Sequence, residues 1–502
     1  MRRERPGLRS LLSPLAGALL AAGCNVGPNF ARPDPKVPSQ WVATAVAPGA
    51  ERASKARDDA EPVAQWWLQF NDATLQSLIE RAVGANLDLK IAVQRVEEAR
   101  AERDVTGSQA WPHLSVGAGY SRQRLSETTP TGALFSSVGQ LPLPGGQHVR
   151  VPLTYNQFQV DADASWEIDL FGRVRRAVEA ANAQVQVSME DEHAVQLTLL
   201  SDVAQSYIQL RGAQRRLATA LENVATLTEL LELTRQRRDA GLTTDEDVSR
   251  SAAQLSSTRA DLPAYDLQIT DSINRLSALL GREPDALRGE LSAATPIPAV
   301  PDSVAVGVPA QLARRRPDIR EAEASLHAAT AQIGVATADL FPRLVLSGQG
   351  GLQSQGLNQL AEWASRFGSF GPSFQLPIFD RGRWKTVHLQ SVRAQESALA
   401  YQSTVLKALH EVANALAAFS ADQVRRMELD HAVGESRDAL ALARERYQSG
   451  VANFIDVLDA ERSLQLNESA QIDAVTATSV DLVALYRALG GGWDPLPEEK
   501  SS

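Results

Sequence analysis

Few residues in this 502-residue chain are of a kind and spacing that does chemistry. Its seven histidines, His113, His148, His193, His327, His388, His410 and His431, include no close pair of the sort that holds a metal. His410-Glu411-Val412-Ala413-Asn414 begins like the helix of a zinc protease, but the second histidine is missing. No Gly-Lys dipeptide occurs, so there is no phosphate loop of the GxxxxGK type. Catalysis, a metal and a cofactor are therefore not expected. The remaining reactive group is the thiol of Cys24, the only cysteine, which excludes an intramolecular disulfide and a cysteine-cluster metal site.

The segment that would position Cys24 reads as a leader rather than as part of the fold. Arg2, Arg3, Arg5 and Arg9 precede an apolar run over 11–22, interrupted by Pro14, which is the plan of a secretory signal peptide over 1–23. Spanning a bilayer takes ~20 apolar residues, so this run is too short to cross one. Leu20-Ala21-Ala22-Gly23-Cys24 resembles the lipobox of bacterial lipoproteins, although Ala21 stands where Leu is usual. That resemblance implies that Cys24 receives lipid and becomes the mature N-terminus. With Asn25 and not Asp next, it also implies delivery to the outer membrane. An unmodified Cys24 beside an ordinary cleavage site is the plainer alternative. Loss of 1–23 removes four Arg and one Glu, taking the formal charge from -10 to -13. An acidic surface argues against a nucleic-acid partner. No later run of 18 apolar residues exists, so no transmembrane helix is expected in the mature chain.

The rest of the chain is a duplicated module. Asn86-Leu87-Asp88-Leu89 parallels Arg316-Pro317-Asp318-Ile319, and Trp111-Pro112 parallels Phe341-Pro342, both at a spacing of 230. Phe171-Gly172-Arg173 parallels Arg381-Gly382-Arg383 at 210, and Gly241 parallels Gly450 at 209. The stretches GLTTDEDV from Gly241 and GVANFIDV from Gly450 are thus equivalent points of two repeats. The fall in spacing puts about 20 extra residues in the Gly/Pro/Ser-rich stretch around TGALFSSVGQLPLPGGQ of the first repeat, an expected loop. The expected divisions are a leader over 1–23, an anchored segment over 24–74, a first repeat over 75–285, a Pro-rich linker over 286–309, a second repeat over 310–490 and a tail over 491–502.

Periodicity sets the elements of each repeat. A helix from about Leu75 should end at Trp111-Pro112. Leu114, Val116, Ala118 and Tyr120 then alternate with small residues, and Phe158, Val160, Ala162, Ala164 and Trp166 oppose Gln159, Asp161, Asp163 and Ser165. That period of two predicts strands, with weaker versions in RLVLSG from Arg343 and FGPSFQLPIF from Phe370. A soluble sandwich and a lipid-facing barrel both remain open for these four strands. The 66 residues over 173–238 hold no proline and one glycine, Gly212, and predict a helix of about 100 Å at ~1.5 Å per residue. Leu217, Leu221, Val224, Leu227 and Leu231 would form its coiled-coil seam. Gly241 should cap it, and a returning helix should start near Thr244 to Asp247.

At this point the residues are similar to a known family. Gly27-Pro28-Asn29-Phe30-Ala31-Arg32-Pro33, the two glycine tips with Asp-Val, Leu-Asp-Ala-Glu-Arg-Ser over 458–463 and Leu-Tyr-Arg-Ala-Leu-Gly-Gly-Gly-Trp over 485–493 resemble TolC-like outer membrane efflux lipoproteins. The resemblance implies a mainly α fold with membrane β: four strands per chain in a trimeric twelve-stranded outer membrane β-barrel, continued by a periplasmic α-helical barrel with coiled-coil hairpins. It implies a homotrimer that works as a passive exit duct for drugs or other small toxic compounds. A periplasmic adaptor and an inner-membrane RND-type transporter would be its partners, with outer membrane lipid around it; a channel for type I protein secretion is the alternative. A periplasmic adaptor, the rival binding protein, would carry one hairpin and not two. By the same resemblance, Gly241, Leu242, Thr243, Asp247, Val248, Gly450, Val451, Asp456 and Val457 would dock the adaptor. Ile455, Asp459 and Arg462, at i, i+4 and i+7 on one helical face, would form the periplasmic gate. The structural alternatives are ordinary hairpin capping for the first set and a solvated Asp459–Arg462 pair for the second.

Overall fold

The computed structural model describes residues 25–34, 37–38, 41, 55–57, 64–138 and 152–493. Cys24, the leader over 1–23 and the part of the expected loop over 139–147 lie outside them, whereas the described start of that stretch is not loop but a helix, Pro130–Val138. The duplication is visible element by element. Helices α1 (Ala73–Ala85) and α2 (Leu87–Ser108) lead into strand β2 (His113–Arg124), and β3 (Thr154–Ile168) leads into α3 (Arg173–Asp239) and α4 (Asp245–Leu279). The second repeat follows with α5 (Pro317–Ala338), β5 (Arg343–Ser354), β6 (Arg366–Gln375), α6 (Arg381–Gln448) and α7 (Phe454–Ala488). Helices α2 and α5 are both 22 residues long, and α4 and α7 are both 35. The match is not complete, since β3 has 15 residues and β6 has 10. A short parallel pair, β1 (Lys55–Arg57) with β4 (Ser303–Ala305), was not signalled by any periodicity.

The helix expected from Leu75 is two helices. Asn86 interrupts it with an extended ψ of 133°, and its side chain takes over the pairing of the break. Asn86 Nδ2 donates to Leu279 O at 2.9 Å, while Oδ1 accepts from Leu89 N at 2.9 Å. Asparagine competes with the helical ladder in this way because its short amide reaches local backbone groups.

The chain divides into two compact units. One gathers the described residues up to Ala31 with Ala99–Gln184 and Leu326–Ser397. It holds the antiparallel sheet in the order β2-β3-β5-β6. Register places Leu114, Val116, Ala118 and Tyr120 beside Ala164, Ala162, Val160 and Phe158 on one face. Leu344, Leu346 and Leu352 join that face from β5, with Phe370 and Phe374 from β6. Leu114, Val116, Phe370 and Phe374 are exposed there. A soluble sandwich would bury such a face; here no described element covers it, which is how a lipid-facing sheet is built. The opposite face carries Gln157, Gln159, Asp161 and Gln349, linked by hydrogen bonds of 3.0 to 3.2 Å. Pro372 lies in β6, an edge strand, where its missing N–H does least harm.

The other unit is helical and has two apolar clusters. The larger centres on Trp66, which is fully buried, stacks on Tyr486 at 5.3 Å and donates from Nε1 to Gly491 O at 3.2 Å. The smaller joins Leu227, Leu230 and Leu231 of α3 to Leu255, Val433, Leu440, Tyr447, Phe454, Val457 and Leu458. The expected seam is therefore partly right. Leu227 and Leu231 are buried, but Leu221 is exposed and Ala220 is buried in its place. The small side chain at 220 lets the helices approach, and the heptad runs through Ala220, Leu227 and Thr234. Trp66→Ala should empty the centre of the larger cluster and cost about 3–5 kcal/mol, read as a lowered midpoint in thermal or guanidinium unfolding of the detergent-solubilised protein.

Candidate functional site: two hairpin tips and the face beside them

Each tip is built by two backbone devices. Gly241 sits at φ +75° and Gly450 at φ +74°, a region open to glycine at little cost. Gly241 N donates to Arg238 O at 2.9 Å and Leu242 N to Arg237 O at 2.8 Å. The second tip repeats this, Gly450 N to Tyr447 O at 3.0 Å and Val451 N to Arg446 O at 2.9 Å. These are paired Schellman closures, which satisfy the last carbonyls of α3 and α6. The returning helices are capped by Thr244 and Asn453, with Asp247 and Asp456 at the third helical position. Thr244 Oγ1 accepts from Asp247 N at 3.2 Å while Asp247 Oδ2 accepts from Thr244 N at 3.3 Å, a reciprocal capping box. Asp456 Oδ2 accepts from Asn453 N at 3.2 Å at the second tip. Partial burial pushes the Asp247 carboxyl up, but hydrogen bonds from Thr243 and Thr244 outweigh it and hold the group below the usual range.

This geometry sorts the tip residues expected to dock a partner. Gly241, Gly450, Asp247 and Asp456 make the turns and caps. Val457 is fully buried and Val248 packs against the smaller cluster, so both are core. Thr243 donates to Asp247 Oδ2 at 2.6 Å. Leu242 and Val451 are left, 68% and 70% exposed, as apolar side chains at the two turns. Arg237 ties one tip to the other: its guanidinium lies 4.3 Å from the Tyr447 ring centroid and donates to Tyr447 O at 3.2 Å.

Helix α7 begins at the second tip and has two faces. Phe454, Val457, Leu458, Glu461 and Leu464 are buried. Ile455, Asp459 and Arg462 are exposed on the other side. Among the described residues no ion pair joins Asp459 to Arg462. The first repeat differs, since Glu246 and Arg250 pair with each other four residues apart. Glu461, on the buried face, accepts from Arg444 at 2.9 Å, so that charge is spent inside the hairpin.

One group here gave no sequence signal. Asp481 of α7 faces Asp422 of α6, and burial followed by the hydrogen bond to Asp422 pushes its carboxyl up to about 7. Acidic residues 59 positions apart offer no pattern to read; only the packing of α6 on α7 brings them together.

Comparison with known proteins shows what the chain as a whole resembles. The family model described as "Outer membrane efflux protein" matches residues 78–282 and 308–491. "Outer membrane protein OprJ" of Pseudomonas aeruginosa is 35% identical over 498 residues, covering 98% of this chain and 97% of that protein. "Nodulation protein T" of Rhizobium leguminosarum bv. trifolii is 32% identical over 487 residues, covering 95% and 97%. Among solved structures, the outer-membrane channel OprN is similar with a TM-score of 0.81 and 36% identity, covering 94% of this chain and all of that one.

The acid pair makes stability pH-dependent with a defined sign. Its folded value, about 7, lies above the ordinary 3.8. The stabilising contribution is then complete below about 4 and is lost as pH rises through about 7. Asp481→Asn should therefore raise the melting temperature at pH 8 relative to the parent, and the gain should shrink toward pH 5. Melting curves of both proteins at the two pH values measure this.

Proposed function

The chain belongs to the outer membrane efflux protein family, and on that premise we propose that three copies close one passive duct that discharges drugs or other small toxic compounds from the cell. The chain is an outer membrane channel of an efflux system. The observation that carries this reading is the sheet: its uncovered face is apolar, its other face is polar, and both edges, β2 and β6, are open. Open edges leave unpaired N–H and C=O groups that hydrocarbon cannot satisfy. One four-stranded sheet cannot close. Two would make a narrow barrel filled by side chains, whereas three give twelve strands around a lumen.

The repeat supports the same assembly. Phe171 after β3 stacks on Phe341 before β5, with centroids 4.9 Å apart. Trp111 before β2, the repeat counterpart of Phe341, and Phe379 after β6 are 74% and 92% exposed beside the two open edges. Pairing β6 with β2 of the next copy brings Phe379 toward Trp111, an aromatic contact between chains analogous to the internal one.

The duct is passive, with energy supplied by an inner-membrane RND-type transporter through a periplasmic adaptor. The adaptor docks on the tips, where Leu242 and Val451 offer exposed apolar side chains on turns fixed by Gly241 and Gly450. Cys24 carries the lipid that anchors the mature N-terminus. Ile455, Asp459 and Arg462 face the threefold axis and close the periplasmic end, Asp459 making the constriction acidic and attractive to cations.

Two measurements test this. Leu242→Glu with Val451→Glu leaves the turn glycines in place, so trimers should persist on unheated gels while dye export from cells falls to the level of a deletion strain; unchanged export would refute docking at the tips. In planar bilayers, Asp459→Ala with Arg462→Ala should conduct several times more than the parent and lose cation preference. Equal conductance would make both residues surface charges and place the gate elsewhere.

A further inference from the structure

Arg176, in the first turn of α3, is 2% exposed, an uncommon place for a guanidinium. Its donors account for the burial. Nη1 donates to Glu179 Oε2 at 2.7 Å, Nη2 to Asn29 Oδ1 at 2.6 Å and to Gly27 O at 3.5 Å, and Nε to Val26 O at 3.3 Å. Three of the four acceptors belong to residues 26–29, which follow Cys24 almost directly. Val26 N completes the pairing by donating to Phe171 O at 3.3 Å.

Glycines open the space that this segment occupies. A Cβ on Gly334 would lie 2.8 Å from Arg176 Cδ, although glycine inside a helix such as α5 is itself destabilising. A Cβ on Gly172 would lie 2.0 Å from Asn25 Oδ1. Gly27, at φ +90°, has its own α-carbon edge against Gly334, where a Cβ would come within 2.5 Å of the Gly334 Cα. The far end is held by rings: Phe30 stacks on His327 at 4.4 Å and 16°. His327 Nε2 lies 3.1 Å from Glu179 Oε1, so the same carboxylate braces both the arginine and the histidine. Pro28 restricts the segment before it docks, which lowers the entropy lost on ordering.

We propose that Arg176, Glu179 and His327, with Gly172 and Gly334, form a docking site whose ligand is the chain's own segment 25–30, and that this site fixes where the lipid anchor stands beside the barrel. The cradle reads two backbone carbonyls, one amide side chain and one ring. Asn25 follows Cys24 directly and lies against Gly172, four residues past the end of β3. An acyl chain on Cys24 would thereby be tethered one residue from Asn25, close to where β3 ends. The docking is independent of acylation; its anchoring consequence rests on the reading of Cys24 given above.

Hydrogen-exchange mass spectrometry on the full-length detergent-solubilised protein tests it. In the parent, amides of 26–34 should be protected. Arg176→Met should speed their exchange roughly tenfold, the equivalent of one charge-assisted hydrogen bond, and leave the two tips unchanged. Should Arg176→Met disturb α3 itself, Asn29→Ala alters only the segment and should give the same local effect. An unprotected segment in the parent, or unchanged exchange in both variants, overturns the docking site. Cys24→Ser should keep the protection; its loss there, with Arg176 intact, would assign the holding to the lipid and overturn the cradle. Failure of the lipid reading is seen separately, as an unmodified mass of the N-terminal peptide with the segment still protected.

Discussion

Backbone hydrogen bonding in hydrocarbon is the constraint on which the molecule depends. Each unpaired N–H or C=O in lipid costs several kcal/mol. A sheet with the order β2-β3-β5-β6 presents two full edges of such groups. No rearrangement inside one chain removes them, because the apolar face must also stay outward. The edges have to be paired by further copies, and the number of copies sets whether the closed barrel has a lumen. The polar row of Gln157, Gln159, Asp161 and Gln349 then lines the duct because those side chains lie on the face that closure turns inward.

Duplication makes this solution economical. With α2 and α5, and α4 and α7, matched in length, a contact that closes within the chain can close again between chains. The Phe171–Phe341 stack is the internal case, and Trp111, the counterpart of Phe341, is left exposed with Phe379 at the open edges. The repeats have still diverged where function asks it. Glu246 and Arg250 pair with each other in the first hairpin, whereas their equivalents in the second are Ile455 and Asp459, which are both exposed. The two hairpins thus share their turn and capping geometry but not their charge pattern.

At the tips, structure and recognition are separable. Glycines at positive φ and aspartate caps are required by any tight helical hairpin, so their presence alone says nothing about a partner. The exposed Leu242 and Val451 are not required by the turn, which is why the proposed docking rests on them and not on the glycines or aspartates. The amino-terminal segment shows the converse, since Gly27, Gly172 and Gly334 are needed for close approach and Arg176 for the backbone carbonyls it pairs.

By itself the sequence determined the elements and their repetition. Alternation over Phe158 to Trp166, the proline-free run after Arg173 and the glycines at 241 and 450 each act through local sterics or side-chain period, which need no knowledge of distant residues. It also determined which face of the sheet is apolar, because an alternating face survives any register that shifts by two, but the choice between a soluble sandwich and a lipid-facing sheet needed the uncovered face that the structure shows. Tertiary structure alone decided the rest. Asn86 breaks a helix that periodicity runs through, since its amide finds Leu279 O 193 positions away. Leu221 leaves the seam for Ala220 because the approach distance of the partner helix, not the local pattern, selects the small side chain. Val248 and Val457 prove to be core, Asp481 meets Asp422, and Arg176 meets residues 26–29, all through contacts between segments far apart in the chain. Local rules fix which conformations a segment can take; only packing fixes which side chains then share a space, and it is there that the site residues part from their scaffold.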